Sequence, residues 1–373
     1  MTPASQPTAG SRQDHGAPGN LAQSGMPLAL RFGSLDSSRN PWPTNVRTAV
    51  KLVERPWIEA LPEGLPRPFW SVMVPIYNCP PHYLRETLES VLRQDPGPAE
   101  MQIEVIDNCS TVGDPEAVVR EVGGGRIAFH RQTENVGMVQ NFNDCIRHAT
   151  GQWVHILHGD DTVRPGFYER LRNGIASHPE AGAALCRTIY LDEESQWVGL
   201  TEPEARSPGL LQEDFVRRQF LDQRIQFVSI AVRRAVYEEL GGFLPVFSYC
   251  LDWDMWKRIA LRRPVYYEPE PLACYRLHAG ADTNRLTRTG ENVADERRSI
   301  DLSCADFPQE QAEIVRRAAR TAAGVRAARR ARLLWRAGER ATAWCQFREA
   351  ARCSLAPAVT ARLLYFLVRT VVR

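Results

Sequence analysis

Trp153-Val154-His155-Ile156-Leu157-His158-Gly159-Asp160-Asp161 reads as a short, mostly apolar strand that runs out into two adjacent carboxylates. Pro165 and Gly166 follow, and Phe167, Leu171 and Ile175 then recur at helical spacing. A buried strand that delivers acid groups at its carboxyl end is how open α/β sheets build ligand sites. Two neighbouring carboxylates repel each other unless a cation or a water-filled cleft relieves them. The simpler use of the pair is local, with Asp161 or Thr162 capping the next helix.

The flanking sequence decides between the two. Residues 70–75 read as a first strand ended by Pro75, and Leu84, Leu88, Val91 and Leu92 mark a helix reaching about Gln94. A second strand at 101–107 closes on Asp107. A short helix at 115–121, a glycine turn at 123–125 and a third strand at 126–130 follow. Val139, Phe142, Ile146 and Ala149 set another helix, which Gly151 breaks, so the stretch quoted first is the fourth strand. Strands alternating with helices at this interval imply parallel βαβ units with right-handed crossovers. Beyond them, 183–190 and 196–199 read as a strand and hairpin, 211–221 as a helix, 227–232 as a strand and 235–240 as a helix stopped by Gly241 and Gly242. A helix opens at Leu251 and runs to Arg262, strands are expected near 265–267 and 272–276, and the chain from about Pro308 on is helical with breaks near Gly338 and Pro357.

Bulk properties narrow the class. The 373 residues suffice for one large or two ordinary domains without staples, and the apolar and charged fractions are those of a globular protein. The net charge of +2 conceals an asymmetry, because residues 313–373 hold 14 Arg against 3 Glu and leave the rest of the chain net acidic. Basic residues interleaved with aromatics are missing from the main domain, which argues against nucleic acid as a partner. Nine Cys lie scattered with no CxxC pair and no zinc spacing, as suits a reducing cytosol. Residues 1–25 lack a secretory h-region, and the longest apolar run, 363–368, is far short of the roughly 20 residues that span a bilayer. A cytoplasmic protein, soluble or lying on the inner face of a membrane, is expected.

Three polar strand ends occur in order in one βαβ array: Pro75-Ile76-Tyr77-Asn78, Asp107-Asn108-Cys109-Ser110 and His158-Gly159-Asp160-Asp161. In a doubly wound sheet they would converge on one crevice at the switch point. There Tyr77 could stack on a base, a carboxylate could accept a base N–H, and the Asp pair could hold a divalent ion together with substrate phosphates. The competing local uses are a plain turn at Tyr77-Asn78 and a turn capped by Asp107.

The segments SVMVPIYN (71–78), VIDNCST (105–111), ENVG (134–137), ATG (149–151) and LHGDD (157–161) resemble the successive motifs of family 2 glycosyltransferases, of GT-A fold. LGGF (240–243), DWDMW (252–256) and YRLH (275–278) resemble that family's acceptor-half motifs in the same order, so the likeness covers about 71–284. It implies an α/β protein with an open, mostly parallel nucleotide-binding sheet, helices on both faces and a C-terminal helical extension. The activity implied is an inverting transfer of a sugar from a nucleotide-sugar donor, UDP being the commonest, to a hydroxyl on a glycan or lipid-linked acceptor. Carried over by position, Pro75, Tyr77 and Asn78 would line the nucleoside pocket, Asp107 would bind the base and Asn135 would lie near the nucleotide. Asp160 would hold Mg²⁺ or Mn²⁺, His278 would close over the diphosphate or the metal, and Asp252 would be the general base. Asp252 stands just before a helix in this reading, where it could instead serve as the N-cap.

The sequence departs from the family at three points. His158 stands for the first Asp of the metal motif, Asn108 for an Asp common after Asp107, and Leu251 for the acid before the proposed base, a loss of like charge expected to lower the base's pKa. Two other functions fit the architecture: a non-catalytic nucleotide- or sugar-binding module, and a sugar nucleotidyltransferase, which would need a glycine-rich loop where Pro75–Asn78 has no glycine. The layout expected is a disordered arm at 1–45, a linker with a short helix at 46–69, a transferase domain at 70–285 (nucleotide half 70–165, acceptor half 166–285) and a basic helical extension at 286–373. Leu363 to Val368 with Arg362, Arg369 and Arg373 reads as an amphipathic basic helix, suited either to packing on the domain or to peripheral contact with a membrane.

Overall fold

A computed structural model describes residues 55–64, 66–278, 282–307 and 309–371. The arm at 1–45, nearly all of the short helix expected at 48–55, and Arg373 lie outside the described residues. The first half alternates β1 (Trp70–Ile76), α1 (Pro81–Leu92), β2 (Met101–Asp107), α2 (Pro115–Gly123), β3 (Ala128–Arg131), α3 (Met138–His148) and β4 (Trp153–Ile156). Then come β5 (Thr162–Val163), α4 (Phe167–Ser177), β6 (Ala183–Leu191), β7 (Trp197–Leu200), β8 (Gly209–Leu210), α5 (Glu213–Leu221), β9 (Ile230–Arg233), α6 (Arg234–Leu240), α7 (Leu251–Arg262) and β10 (Val265–Arg276). Five helices complete the chain: α8 (Asp282–Thr289), α9 (Glu291–Cys304), α10 (Gln309–Arg336), α11 (Arg340–Cys353) and α12 (Pro357–Val371).

The strands form one sheet in the order β3-β2-β1-β4-β9-β6-β10-β5, with β7 beside β6 and β8 beside β10. β1 pairs in parallel with β2 on one side and β4 on the other, and every residue of it is buried, as a central strand covered on both faces must be. Six strands (β3, β2, β1, β4, β6 and β10) point one way, so the sheet is open and mostly parallel as expected. β9 runs against its neighbours β4 and β6. One apolar cluster packs α1, α2 and α4 on one face, and another packs α3, α6 and α7 on the other. Gly151 lies where α3 passes into β4: a Cβ there would come within 2.7 Å of the Ser71 backbone, so the turn admits no side chain.

Three elements differ from expectation. Residues 227–229 form a 3-10 turn and only then does β9 begin. The two strands expected at 265–267 and 272–276 are one, β10, whose pairing with β6 shifts register around Pro271. The segment 55–59, read as irregular linker, is docked on the domain: Ile58 is fully buried, Gly242 N–H donates to the Pro56 carbonyl, and Arg234 donates to that of Glu59.

Chain direction positions the chemistry. Asp160 and Asp161, which follow β4, lie at the carboxyl end of the parallel strands. α7 is tied to the end of β4 through two rings: its Trp256 lies 5.5 Å from Phe227, and Phe227 lies 4.7 Å from His158.

Candidate active site

The rim begins where β1 and β2 finish. Asn78 takes a left-handed φ of +50°, tolerated by a residue whose short amide can bond the nearby backbone. Its Oδ1 accepts from Thr111 N at 2.8 Å and Val112 N at 3.1 Å, and its own N–H donates to Ser110 Oγ at 2.8 Å. Asp107 is fully buried; Oδ1 accepts from Ser110 N at 3.1 Å and from Ser110 Oγ at 2.5 Å, and Oδ2 from Arg131 Nε at 2.7 Å. The turn-capping use of Asp107 is therefore realised, with both oxygens engaged by its own neighbourhood. Asn135 Oδ1 accepts from Asn108 Nδ2 at 3.0 Å, and Asn108 Oδ1 from Val136 N at 2.9 Å, which ties the loop before α3 to the end of β2. Pro75 is buried within β1, one residue short of the strand's end, while Tyr77 stands 48% exposed on the rim.

At the end of β4 the acids meet two imidazoles. A Cβ on Gly159 would lie 2.5 Å from the Ile76 methyl, so only glycine lets the turn pass beneath β1 and carry Asp160 outward. Asp160 Oδ2 is 2.8 Å from His278 Nε2, just beyond β10. His158, Asp160 and Asp161 each present one ligand atom, all within 4.8 Å of one another. The His158 ring stacks on Phe142 at 5.1 Å and packs against Phe227 at 4.7 Å, which fixes its plane. Burial holds His158 below the usual imidazole range, so it is neutral and keeps a lone pair. Burial, reinforced by the Asp160 charge, pushes Asp161 well up. For Asp160 burial acts the same way, but the His278 hydrogen bond and the nearby imidazoles outweigh it and leave that carboxyl below its usual range. Asp161 Oδ2 is buried without a hydrogen-bond partner, as is His158 Nε2. Two carboxylates, two imidazoles and an orphaned buried oxygen are a donor set that fits a divalent cation.

The donors of Arg276 are spent within the fold. Its guanidinium lies 4.2 Å from the Tyr83 ring and donates to the Asp160 carbonyl at 2.9 Å, to Ser195 Oγ at 2.7 Å and to Glu86 Oε2 at 2.6 Å. Its backbone N–H donates to Asp161 Oδ1 at 2.9 Å. Arg276 thus fastens the acid turn to α1 and to the β6–β7 hairpin.

Asp252 sits inside the first turn of α7, not before it, and the N-cap position belongs to Cys250, whose side chain makes no cap bond. The N-cap alternative for Asp252 is thereby excluded. Its Oδ1 accepts from Trp253 N and its Oδ2 from Gln223 Nε2, both at 2.6 Å. Burial outweighs these bonds and pushes the carboxyl up to about 7, the reverse of the lowering expected from Leu251. Leu251 removes a like charge but is itself buried and helps exclude water, and desolvation is the larger effect. Capping comes from α9 instead: Asp295 Oδ2 accepts from the backbone N–H groups of Ser248, Tyr249 and Cys250 at 3.1, 2.8 and 2.9 Å. No local pattern marks Gln223, which bonds Asp252 from 29 residues away, or Asp295, which bonds the turn ahead of α7 from 45 residues away or more. Tyr249 lies within charge reach of Asp252, and Tyr275 within reach of Tyr249, Asp160 and Asp161, so the base and the acid cluster share one neighbourhood.

Residues 71–241 match the sequence family described as Glycosyl transferase family 2. An uncharacterised protein of Mycobacterium tuberculosis is 26% identical over 244 residues, 63% of this chain and 75% of that one. An uncharacterised glycosyltransferase of Rickettsia prowazekii is 23% identical over 230 residues, 61% and 70% of the two chains. Among solved structures, the mannosyltransferase PcManGT of Pyrobaculum calidifontis, in complex with GDP-Man and Mn²⁺, aligns with a TM-score of 0.48 at 20% identity, covering 86% of this chain and 85% of its own.

Proposed function

With residues 71–241 belonging to glycosyl transferase family 2, we propose that the protein is an inverting glycosyltransferase that moves a hexosyl group from a nucleotide-sugar donor, UDP-linked by preference, to a hydroxyl of a glycan or lipid-linked acceptor. The acceptor oxygen attacks the anomeric carbon as the bond to the diphosphate breaks; the bonding pair leaves with the nucleoside diphosphate and the acceptor proton passes to Asp252. Support comes from one observation: α7, which carries Asp252, packs through Trp256 on Phe227 and so on His158 of an acid–imidazole cluster fit for a diphosphate-bound cation. A base whose pKa is near neutral pH combines adequate strength with the right protonation state.

Asp160 and His278, with His158 and Asp161 beside them, would hold Mg²⁺ or Mn²⁺, whose charge would offset that of the leaving diphosphate. Tyr77, exposed on the rim, is assigned to stacking on the base. Pro75, Asn78, Asp107 and Asn135 shape that rim, since their polar groups already bind one another or the adjoining loops. The proposed setting is the cytoplasm, where the supply of donor fits a polysaccharide-building role. A thermal-shift screen of nucleotide sugars with Mg²⁺ or Mn²⁺ tests donor recognition: a metal-dependent rise with one donor class supports it, and no rise with any counts against it.

A further inference from the structure

The C-terminal helix sorts its apolar residues onto two sides. Val359, Leu363 and Phe366 of α12 are buried against α10 and α11, with Phe366 5.5 Å from both Trp335 and Trp344. Leu364, Tyr365 and Val368 face outward, exposed by 59%, 42% and 60%. Leu364 and Val368 are four residues apart and form a ridge on one helix face. Trp344 of α11, 38% exposed, packs on the inner side of α12 against Phe366.

Arginines gather on the Tyr365 side of this face. Arg369 lies 5.6 Å from the Tyr365 ring centre, and Arg332 and Arg336, one turn apart on α10 and both exposed, are within charge reach of Tyr365. Arg329 is within reach of Arg332 and Arg362. None of these five forms an ion pair with a carboxylate among the described residues, whereas Arg316, Arg320, Arg326 and Arg352 of the same helices do. Five cations held together without counter-charge, beside apolar side chains held in water, call for an anionic partner with an apolar interior.

We propose that the α10–α12 face, formed by Leu364, Tyr365 and Val368 with Arg329, Arg332, Arg336, Arg362 and Arg369, docks on the surface of an anionic phospholipid bilayer. Headgroup phosphates pair with the guanidinium groups, and the three outward side chains enter the headgroup–acyl boundary without spanning it. A second copy of the chain would set five like charges against five. Nucleic acid would satisfy the charge and leave the ridge wet.

Flotation of the full chain with phosphatidylcholine vesicles, with and without phosphatidylglycerol, is the test. Binding is expected only to the anionic vesicles, to weaken as salt rises, and to drop by about thirtyfold or more in Arg332→Glu/Arg336→Glu. Leu364→Ser/Val368→Ser should weaken it about tenfold while leaving the salt dependence in place. All four positions are outward-facing, and an unchanged melting temperature verifies the fold. Equal affinity for neutral vesicles, no binding to either, or a dimer in solution that the same substitutions abolish would each overturn the proposal. No donor or acceptor is present, so the result is independent of the transferase assignment.

Discussion

Asp252 is the residue proposed as the base, and its environment gives two separable predictions. As a general base it must be ionised, so kcat/KM should fall below a pH near 7 and level off above it. Asp252→Asn should lower turnover by about a thousandfold and leave UDP affinity by calorimetry nearly unchanged; undiminished turnover would remove it as the base. The second prediction concerns stability. A carboxyl raised from 3.8 to about 7 on folding stabilises the fold while protonated, and that contribution disappears as pH rises through 7. Asp252→Asn should therefore match the parent's unfolding free energy near pH 4 and exceed it at pH 8, by up to about 4 kcal/mol and by less for a side chain still in touch with water. Lys257 and Cys250 are the titratable neighbours that act on this carboxyl from its own helix, and Tyr249 lies just before it. The positions of Asp160, Asp252 and His278 were legible because each sits in a short motif. The pKa of Asp252 was not, because it depends on Gln223 and on packing that no local window contains.

α7 carries the base, and its first turn is held by the distant Asp295. Removing that carboxylate leaves three amides without their acceptor, so Asp295→Ala should destabilise the protein by about 2 kcal/mol or more. The loosened turn should lower kcat with little effect on UDP binding; equal losses in both would mean that the substitution disturbs the site generally. At the acid turn, Asp160→Ala should weaken Mn²⁺-dependent binding of UDP by about tenfold or more, and calorimetry with and without Mn²⁺ checks it. Element positions were readable wherever apolar spacing was clear, as for β2 and α7, whose expected and observed limits coincide. Direction and pairing were not. β9 runs antiparallel between β4 and β6 although its residues look like those of any buried strand, and Pro271 reads as a break where β10 only shifts register.

The C-terminal helices pack on α7, the helix that carries the proposed base. Besides Asp295, the C-terminal helices supply Ser299, which accepts from the buried Lys257 at 2.6 Å, and Arg326, 5.6 Å from the Trp253 ring. A chain ending at residue 285 would uncover Phe220 and Leu261, which pack against α9 and α10, and is expected to lose its cooperative thermal transition. The sequence showed these helices as a basic extension. Their hold on α7 was invisible because it rests on contacts 42 or more residues apart. Asp107 ends one parallel strand and Asp160 follows another, so both fall at one end of the sheet, and Asp252 is linked to that end through Tyr249 and Tyr275. Whether they serve one ligand is decided by a crystal structure with UDP and Mn²⁺. The β-phosphate should lie against Asp160 and His278, with the Asp252 carboxylate facing the open space beyond it; UDP seated elsewhere, or a diphosphate directed away from Asp252, would contradict a shared catalytic pocket.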